Sequence, residues 1–434
     1  MAKIAVVGGG QAGTVSAISL LEKGHDVSLF ESMSPDQMRH STVRSTAVIW
    51  NSNSQLETDL GLGFWDDERM EASHIRIQFR ETDGTVVTSA YDRLYENVNG
   101  IDQRTKFPRF MEEFARRGGK LEIGNLDIND LEELAEANDL VLVAAGKGEI
   151  GKLFKTDQER SIFEAPPRNN CAVVLKNVKE WDDFSPGFLK FEFYNSKGDW
   201  FALPFYAEGI GHCRAVVFQA VHGEELDVFN DVSNGEQVME KVRHLIQQYS
   251  PEDWDNFKDA ELIDENAWLK GAITPRVRDP LGVLPSGKQV LAIGDTAFVH
   301  EPICGCGANS AVRQVRNLVN QIDEMHGEKL EAGVLKQAIE KEYQDQAKYI
   351  MQFVHSICEE LNPVVWKMLQ AADHSPSIRN LFANMYVDFS KSHVFLNDMD
   401  AVDSLINQYK HELDGFNFVP FEQAYPDMAA QYVG

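Results

Sequence analysis

Gln289-Val-Leu-Ala-Ile-Gly-Asp295 runs into Thr296-Ala-Phe-Val-His-Glu-Pro302 and then into Ile303-Cys-Gly-Cys-Gly-Ala-Asn309. Val290 to Ile293 have the continuous apolar character of a strand buried on both faces, as in a parallel sheet. The glycine-rich loop after Pro302 opens an amphipathic helix, with Val312, Val315, Leu318, Val319 and Ile322 on one stripe. Such a start leaves backbone N–H groups unpaired at the positive end of the helix dipole, where a negative group is favoured.

A second turn makes the same offer near the start of the chain. Lys3 to Val7 read as a short apolar strand, Gly8-Gly-Gly-Gln-Ala-Gly13 follows, and Val15, Ile18 and Leu21 mark a helix face that Gly24 stops. Val27, Leu29 and Phe30 form a further strand ending at Glu31. Gly8, Gly10 and Gly13 thus hold the G-x-G-x-x-G positions of a βαβ unit, with Gln11 and Ala12 between them and an acid closing the second strand. That combination predicts an ADP-binding site.

The rest of the chain bounds the class. At 434 residues two domains are expected, and 43% hydrophobic with 25% charged residues is a globular composition. The 41 Lys+Arg against 68 Asp+Glu give a charge of −27, which argues against a nucleic-acid binder and for a solvated surface. No apolar run approaches the roughly 18 residues of a membrane span. The first strand begins at Lys3, leaving no room for a secretory leader, so a cytoplasmic protein is expected. Cys171, Cys213, Cys304, Cys306 and Cys358 are few and scattered, as free thiols in a reducing compartment would be. Cys304-Gly-Cys306 lacks companion ligands at zinc spacing, and no metal is expected.

Between the two turns the periodicity changes. Thr46 to Trp50 is strand-like, and Ser73 to Ala90 reads as a hairpin turning at Asp83-Gly84. A helix is expected over Gln103 to Arg117, with Phe107, Phe110, Met111 and Phe114 on one face, and a parallel-sheet strand over Asp139 to Gly146. Beyond Pro166 come strands without intervening helices, at Ala172 to Lys176, Leu189 to Tyr194, Trp200 to Tyr206 and Arg214 to Ala220. This composition implies a mostly antiparallel second domain, after which Val290 to Gly294 return to the first. The expected fold is therefore α/β, a Rossmann-like nucleotide-binding domain interrupted by a β-sheet domain and followed by helices.

These pieces, in this order, resemble the two-component styrene and indole monooxygenases, FAD-dependent oxygenases of the glutathione-reductase and p-hydroxybenzoate-hydroxylase fold type. The resemblance runs over nearly the whole chain. It rests on the N-terminal glycines, Arg104 ahead of Arg117-Gly-Gly-Lys120, the stretch Asp139 to Phe154, Phe163-Glu-Ala-Pro-Pro-Arg168, and Gly294-Asp295 with Pro302, Gly305, Gly307, Ala308 and Asn309. It implies that Gly8, Gly10, Gln11, Ala12 and Gly13 receive the pyrophosphate of FAD and that Glu31 accepts from the adenosine ribose. Arg44 and Arg104 would lie near the phosphates, Asp295 would bond the ribityl chain, and Gly146 and Gly294 are further cofactor-binding candidates. The Gly305 to Asn309 backbone would lie along the pyrimidine edge of the flavin, with Pro302 bordering the oxygen pocket. Glycines there let a backbone approach a flat ring closely.

The resemblance also implies the chemistry: reduced flavin and O₂ form a C4a-hydroperoxyflavin, which passes one oxygen to a small aromatic. The cofactor carries the hard step, so no acid–base machinery is nominated, and His300 reads as a surface or packing residue. Substrate-pocket candidates are Thr46, Val48 and Trp50 on one strand, Ile75, Phe201, Pro204 and Phe205 on others, and Pro302. The styrene epoxidases carry Asn and His where this chain has Thr46 and Trp50, a departure that puts styrene itself in doubt. Single-component hydroxylases follow their third strand with Asp-Gly, whereas here Ala144-Ala-Gly146 leads into Lys147-Gly-Glu-Ile-Gly151. With one dinucleotide turn, the chain is expected to take FADH₂ from a separate NADH:flavin oxidoreductase, and the resemblance implies a homodimer. A single-component NAD(P)H-dependent hydroxylase and a non-catalytic flavin-binding protein stand as alternatives.

The expected partition is FAD-binding segments at 1–72, 101–165 and 286–330, a substrate-domain hairpin at 73–100, the main substrate domain at 166–285 and a helical region at 331–434. The helical region either packs back on the flavin domain or forms a dimer face.

Overall fold

The computed structural model describes residues 1–430 apart from Thr82 and Lys147, so the departure read at Lys147 lies partly outside the described residues. β1 (Lys3–Val7) and β2 (Asp26–Glu31) flank the helix Gln11–Glu22, which is buried from Gln11 to Leu20. So much burial requires a close approach to β1. A Cβ on Gly13 would stand 1.7 Å from the Gly8 carbonyl oxygen, so only glycine lets helix and strand meet. β3 (Val48–Trp50) follows, then β4 (Glu71–Arg80) and β5 (Val86–Gly100). The helix Gln103–Arg116 buries Phe107, Phe110, Met111 and Phe114, and β6 (Lys120–Ile123) and β7 (Leu140–Val143) complete this part.

The second part carries β8 (Asn169–Lys176), β9 (Leu189–Tyr194), β10 (Gly198–Ala207) and β11 (Gly211–Ala220), then the helix Gly235–Tyr249. Short strands follow: β12 (Glu261–Leu262), β13 (Trp268–Ala272), β14 (Arg276–Val277) and β15 (Leu281–Val283). β16 (Gln289–Ala292), β17 (Phe298–Val299) and the long helix Cys306–Glu324 bring the chain back.

Two sheets organise these strands. The six-stranded sheet has the order β15-β16-β7-β1-β2-β6, parallel except where β15 meets β16. The nine-stranded sheet runs β12-β8-β11-β10-β9-β4-β5-β3 with β13 beside β8, antiparallel except for the β4–β9 pair. β16 rejoins the first sheet beside β7, across the whole of the second, because its two-sided apolar face has no other dry place to go.

Three expectations need adjusting. The strand expected at Thr46 to Trp50 covers only Val48–Trp50, and it pairs with β5 in the large sheet although it falls within 1–72. The strand pattern read as far as Ala90 continues to Gly100, the end of the segment assigned to the hairpin. β6 was missed, because its four residues are half-exposed at a sheet edge and leave no apolar run.

The large sheet is covered on both faces. Trp200, Phe218 and Val216 pack with Val238, Val242 and Leu245 of the helix Gly235–Tyr249. On the other face Ile75, Phe191, Phe201 and Leu203 share a core with Ile303, Cys304 and Cys306 of the glycine-rich loop and with Phe353, Met368, Ile378 and Tyr386 of the C-terminal helices. The C-terminal region therefore divides: the helix Ala332–Glu342 packs against Cys306–Glu324 and β16, and the helices from Lys348 onward cover the large sheet. Among the described residues no helix is long and apolar enough to cross a membrane.

Candidate active site

At the carboxyl ends of the parallel strands Val7 is level with Val143, and Val143 with Ala292. The chain continues from these three ends into the Gly8–Gly13 turn, Gly146 and Gly294. These segments touch: a Cβ on Gly294 would lie 2.8 Å from Cβ of Ala12, and one on Gly146 would lie 3.0 Å from Cα of Thr296. In open α/β sheets this crevice beyond the strand ends is where nucleotides bind.

The residues present fit a dinucleotide there. Gly13 is glycine because the protein itself leaves no room. At Gly10, by contrast, a Cβ would meet nothing within 4 Å, and at Gly307 only Oδ1 of Asp295 at 3.7 Å, so the packing of the chain itself does not require glycine at either position. The helices Gln11–Glu22 and Cys306–Glu324 both start on glycine with no side-chain cap, leaving their first N–H groups for an anion.

The remaining cofactor candidates sit as follows. The Glu31 carboxylate accepts from Gly9 N–H (2.6 Å), the Ser32 hydroxyl (2.7 Å) and Met33 N–H (3.2 Å), which fixes the glycine turn to the end of β2. Arg44 is exposed and its guanidinium lies 3.1 Å from Sδ of Met33. Arg104 is buried with its guanidinium on Asp102 (2.7 Å) and Asp264 (2.9 Å), so in this structure it ties the helix Gln103–Arg116 to the loop before β13. Gln11 accepts from Nζ of Lys106 at 3.1 Å and donates to Glu57 at 2.6 Å, while Lys106 and Glu57 pair at 2.7 Å. The sequence reading missed Lys106, since a lone lysine on a helix reads as a solvated one.

The second half of the site is a cavity between the glycine-rich loop and the large sheet. Pro302 through Gly305 form one wall; Val48 and Trp50 of β3, Leu189 and Phe191 of β9, and Phe201 and Leu203 of β10 form the others, with Tyr386 closing one side. The enclosed volume is about 20 Å³, room for one water, so a benzene ring enters only with a side-chain shift. Asn309 joins the two halves. Its Nδ2 donates to Val48 O (3.0 Å) and Gly305 O (2.9 Å), and its Oδ1 accepts from Trp50 N–H (3.0 Å) and Asn53 Nδ2 (3.0 Å).

Of the pocket candidates, Val48, Trp50, Phe201 and Pro302 line this cavity. Thr46 lies in the loop before β3, Ile75 is in the core of the same sheet face, Pro204 points to the opposite face, and Phe205 packs over Gly100. Two-residue alternation along β10 from Phe201 selects Leu203 instead of Pro204, a signal the sequence offered. Tyr386 arrives from the C-terminal helices and had none.

Matches to known proteins agree with this geometry. Residues 3–161 match the FAD dependent oxidoreductase family, and residues 146–255 match the styrene monooxygenase A substrate binding domain. The styrene monooxygenase StyA of Pseudomonas fluorescens is 26% identical over 321 residues, covering 71% of this chain and 74% of that protein. The chain belongs to the styrene monooxygenase-like flavoproteins. It is a flavin-dependent monooxygenase whose cofactor is FAD. Solved structures with the same fold include the flavin-dependent brominase Bmp2 (TM-score 0.64, 13% identity, 94% of this chain and 99% of that one). A flavoprotein/dehydrogenase from Cytophaga hutchinsonii is similar as well (TM-score 0.65, 16% identity, 94% and 99%).

This monooxygenase also holds a buried polar cluster beside its pocket that the sequence did not announce. Glu301, 1% exposed, accepts from Ile303 N–H (2.6 Å) and from Nε2 of Gln219 (2.6 Å), capping the turn that carries Pro302. Asp199 faces Gln219 across β10 and β11 and is equally buried. Burial pushes the Glu301 carboxyl up to about 7 and Asp199 well above the usual carboxylate range, with Arg168 the opposing positive charge in both cases. His300 is buried as well, a packing residue with both ring nitrogens unpartnered; burial and the nearby Arg313 hold it neutral, with a pKa of about 3.

The Glu301 shift predicts a pH dependence. A carboxyl whose folded pKa is raised keeps its full contribution below its ordinary value of 4.5 and loses it as pH rises to about 7. The loss is roughly 3 kcal/mol at 1.36 kcal/mol per unit. Urea unfolding of the wild type and Glu301→Gln at pH 5 and pH 8 should show a smaller loss on alkalinisation in the variant. Equal losses in the two proteins would mean that Glu301 stays ionised throughout.

Proposed function

We propose that this enzyme is the oxygenase half of a two-component system, taking reduced FAD from a separate NADH:flavin oxidoreductase and transferring one oxygen atom of O₂ to a small aromatic such as a styrene or an indole. The observation that carries this reading is the placement of an aromatic-lined cavity against the Pro302–Gly305 turn, with no charged side chain in its lining.

Bound reduced FAD supplies the oxygen-activating chemistry. The chain's own work is to orient and to exclude. Gly8 to Gly13 and the start of the helix Cys306–Glu324 would receive the phosphates and the pyrimidine edge, with Glu31, Gly146, Gly294 and Asp295 between them. Phe191 and Phe201, stacked at 5.1 Å, and Tyr386, stacked on Phe191 at 5.1 Å, give the substrate ring a flat apolar bed. Keeping water from that bed limits wasteful loss of the activated oxygen. Asn309 holds β3 against the cofactor loop, fixing the distance between substrate wall and flavin edge.

The test has two arms. Supplied with chemically reduced FAD, O₂ and a panel of styrenes, indoles and thioethers, the enzyme should yield oxygenated products, blue indigo among them. Mixed anaerobically with NADH alone, its bound FAD should stay oxidised. Rapid bleaching in the second arm would identify a single-component hydroxylase instead.

A further inference from the structure

Among the side chains lining the cavity only two carry a nitrogen or an oxygen, Trp50 and Tyr386. Both are buried, 7% and 4% exposed. Buried tryptophans and tyrosines ordinarily find a partner for the polar end, because an unpaired donor in a dry place is costly. Three others in this protein do. Trp181 donates to Asp253 at 2.7 Å, Trp200 to Ser250 at 3.1 Å, and Tyr194 to the Tyr249 carbonyl at 2.8 Å. The indole N–H of Trp50 and the hydroxyl of Tyr386 donate to no described residue, and neither is among the fully buried unpartnered atoms, so both reach space that a ligand atom or a water can fill.

Both groups are nevertheless held in place. The Trp50 backbone N–H is bonded to Asn309, and the Tyr386 ring packs against Phe191, Phe353 and Phe389. Burial raises the Tyr386 phenol well above its ordinary range, so it remains a donor at every working pH. No lysine, arginine or histidine lines the cavity, so nothing there matches a negative charge.

We propose that the aromatic ring accepted by this cavity carries a neutral hydrogen-bond acceptor, a carbonyl, ether or phenolic oxygen, which receives the Tyr386 O–H and the Trp50 N–H. The proposal rests on the reading of this cavity as the substrate pocket. It makes Tyr386 and Trp50 specificity residues, and it makes a bare hydrocarbon such as styrene a poorer ligand than a ring of similar size with one acceptor oxygen.

The test compares two rings, 4-ethylstyrene and 4-vinylbenzaldehyde, by calorimetric titration of the FAD-loaded wild type. The aldehyde should bind about tenfold tighter, the size of one satisfied buried donor. In Tyr386→Phe and in Trp50→Phe, checked for retained FAD, the ratio of the two affinities should fall by roughly threefold or more. Equal binding of the two rings to the wild type, with both oxygenated when FADH₂ and O₂ are supplied, would overturn this proposal and leave the oxygenase reading standing. A wild-type preference unchanged in both variants would also overturn it. If neither ring binds and neither is oxygenated, the pocket assignment itself falls, and this proposal with it.

Discussion

Gly13→Ala should cost roughly 3–5 kcal/mol of stability, most of what a domain has to spare. A Cβ at that position would stand 1.7 Å from the Gly8 carbonyl oxygen and 2.9 Å from its carbon, and both are backbone atoms. No rotamer change relieves such a contact, so the helix Gln11–Glu22 must lift from β1. That helix is buried along its first ten residues, and lifting it opens the centre of the first core, where Val15, Ile18 and Leu20 lie beside Ile4 and Val6. The measurement is urea unfolding without FAD. An unchanged midpoint would show that the turn can relax in a way this packing does not suggest.

Gly307→Val should do the opposite, folding as the wild type does while losing FAD affinity by about 100-fold. The side chain at Gly307 would meet only Oδ1 of Asp295 at 3.7 Å, an ordinary contact, and valine in the first turn of a helix costs only about 0.5 kcal/mol. What it would fill is the open space over the start of the helix Cys306–Glu324, where the pyrimidine edge of the flavin is expected to lie. Equilibrium dialysis of FAD against the variant, beside a thermal melt of the apoprotein, separates the two effects. FAD binding at wild-type strength would show that the ring lies elsewhere. The two glycines belong to similar motifs, yet the packing of the protein requires only Gly13, and the proposed flavin site is what would require Gly307.

The pocket makes a related point about how far sequence patterns reach. Val48, Trp50, Phe201 and Pro302 were legible because each stands on an apolar strand or next to the glycine-rich loop. The substitution pattern at Thr46 and Trp50 also flagged an altered pocket. The structure moves that departure onto Trp50, since Thr46 lies outside the lining. The polar cluster around Glu301 was illegible for a different reason. Asp199, Gln219 and Asn170 sit at alternating strand positions that read as solvent-facing, and only the cover of C-terminal helices and the Pro302 turn makes that end of the sheet dry.

The sequence by itself determined the βαβ opening, the interruption of the first sheet and its resumption at β16, and the glycine-rich loop that faces the first turn. Each of these is set by local rules: alternation of apolar residues, glycine where a Cβ cannot fit, and the unpaired N–H groups of a helix start. The tertiary structure alone decided that β3 joins the nine-stranded sheet, that Asn309 clasps it to the glycine-rich loop, that Arg104 is engaged by Asp102 and Asp264, and that Tyr386 closes the cavity. These are contacts between segments far apart in the chain, and their partners are chosen by shape and burial across the whole core, which no window of sequence contains.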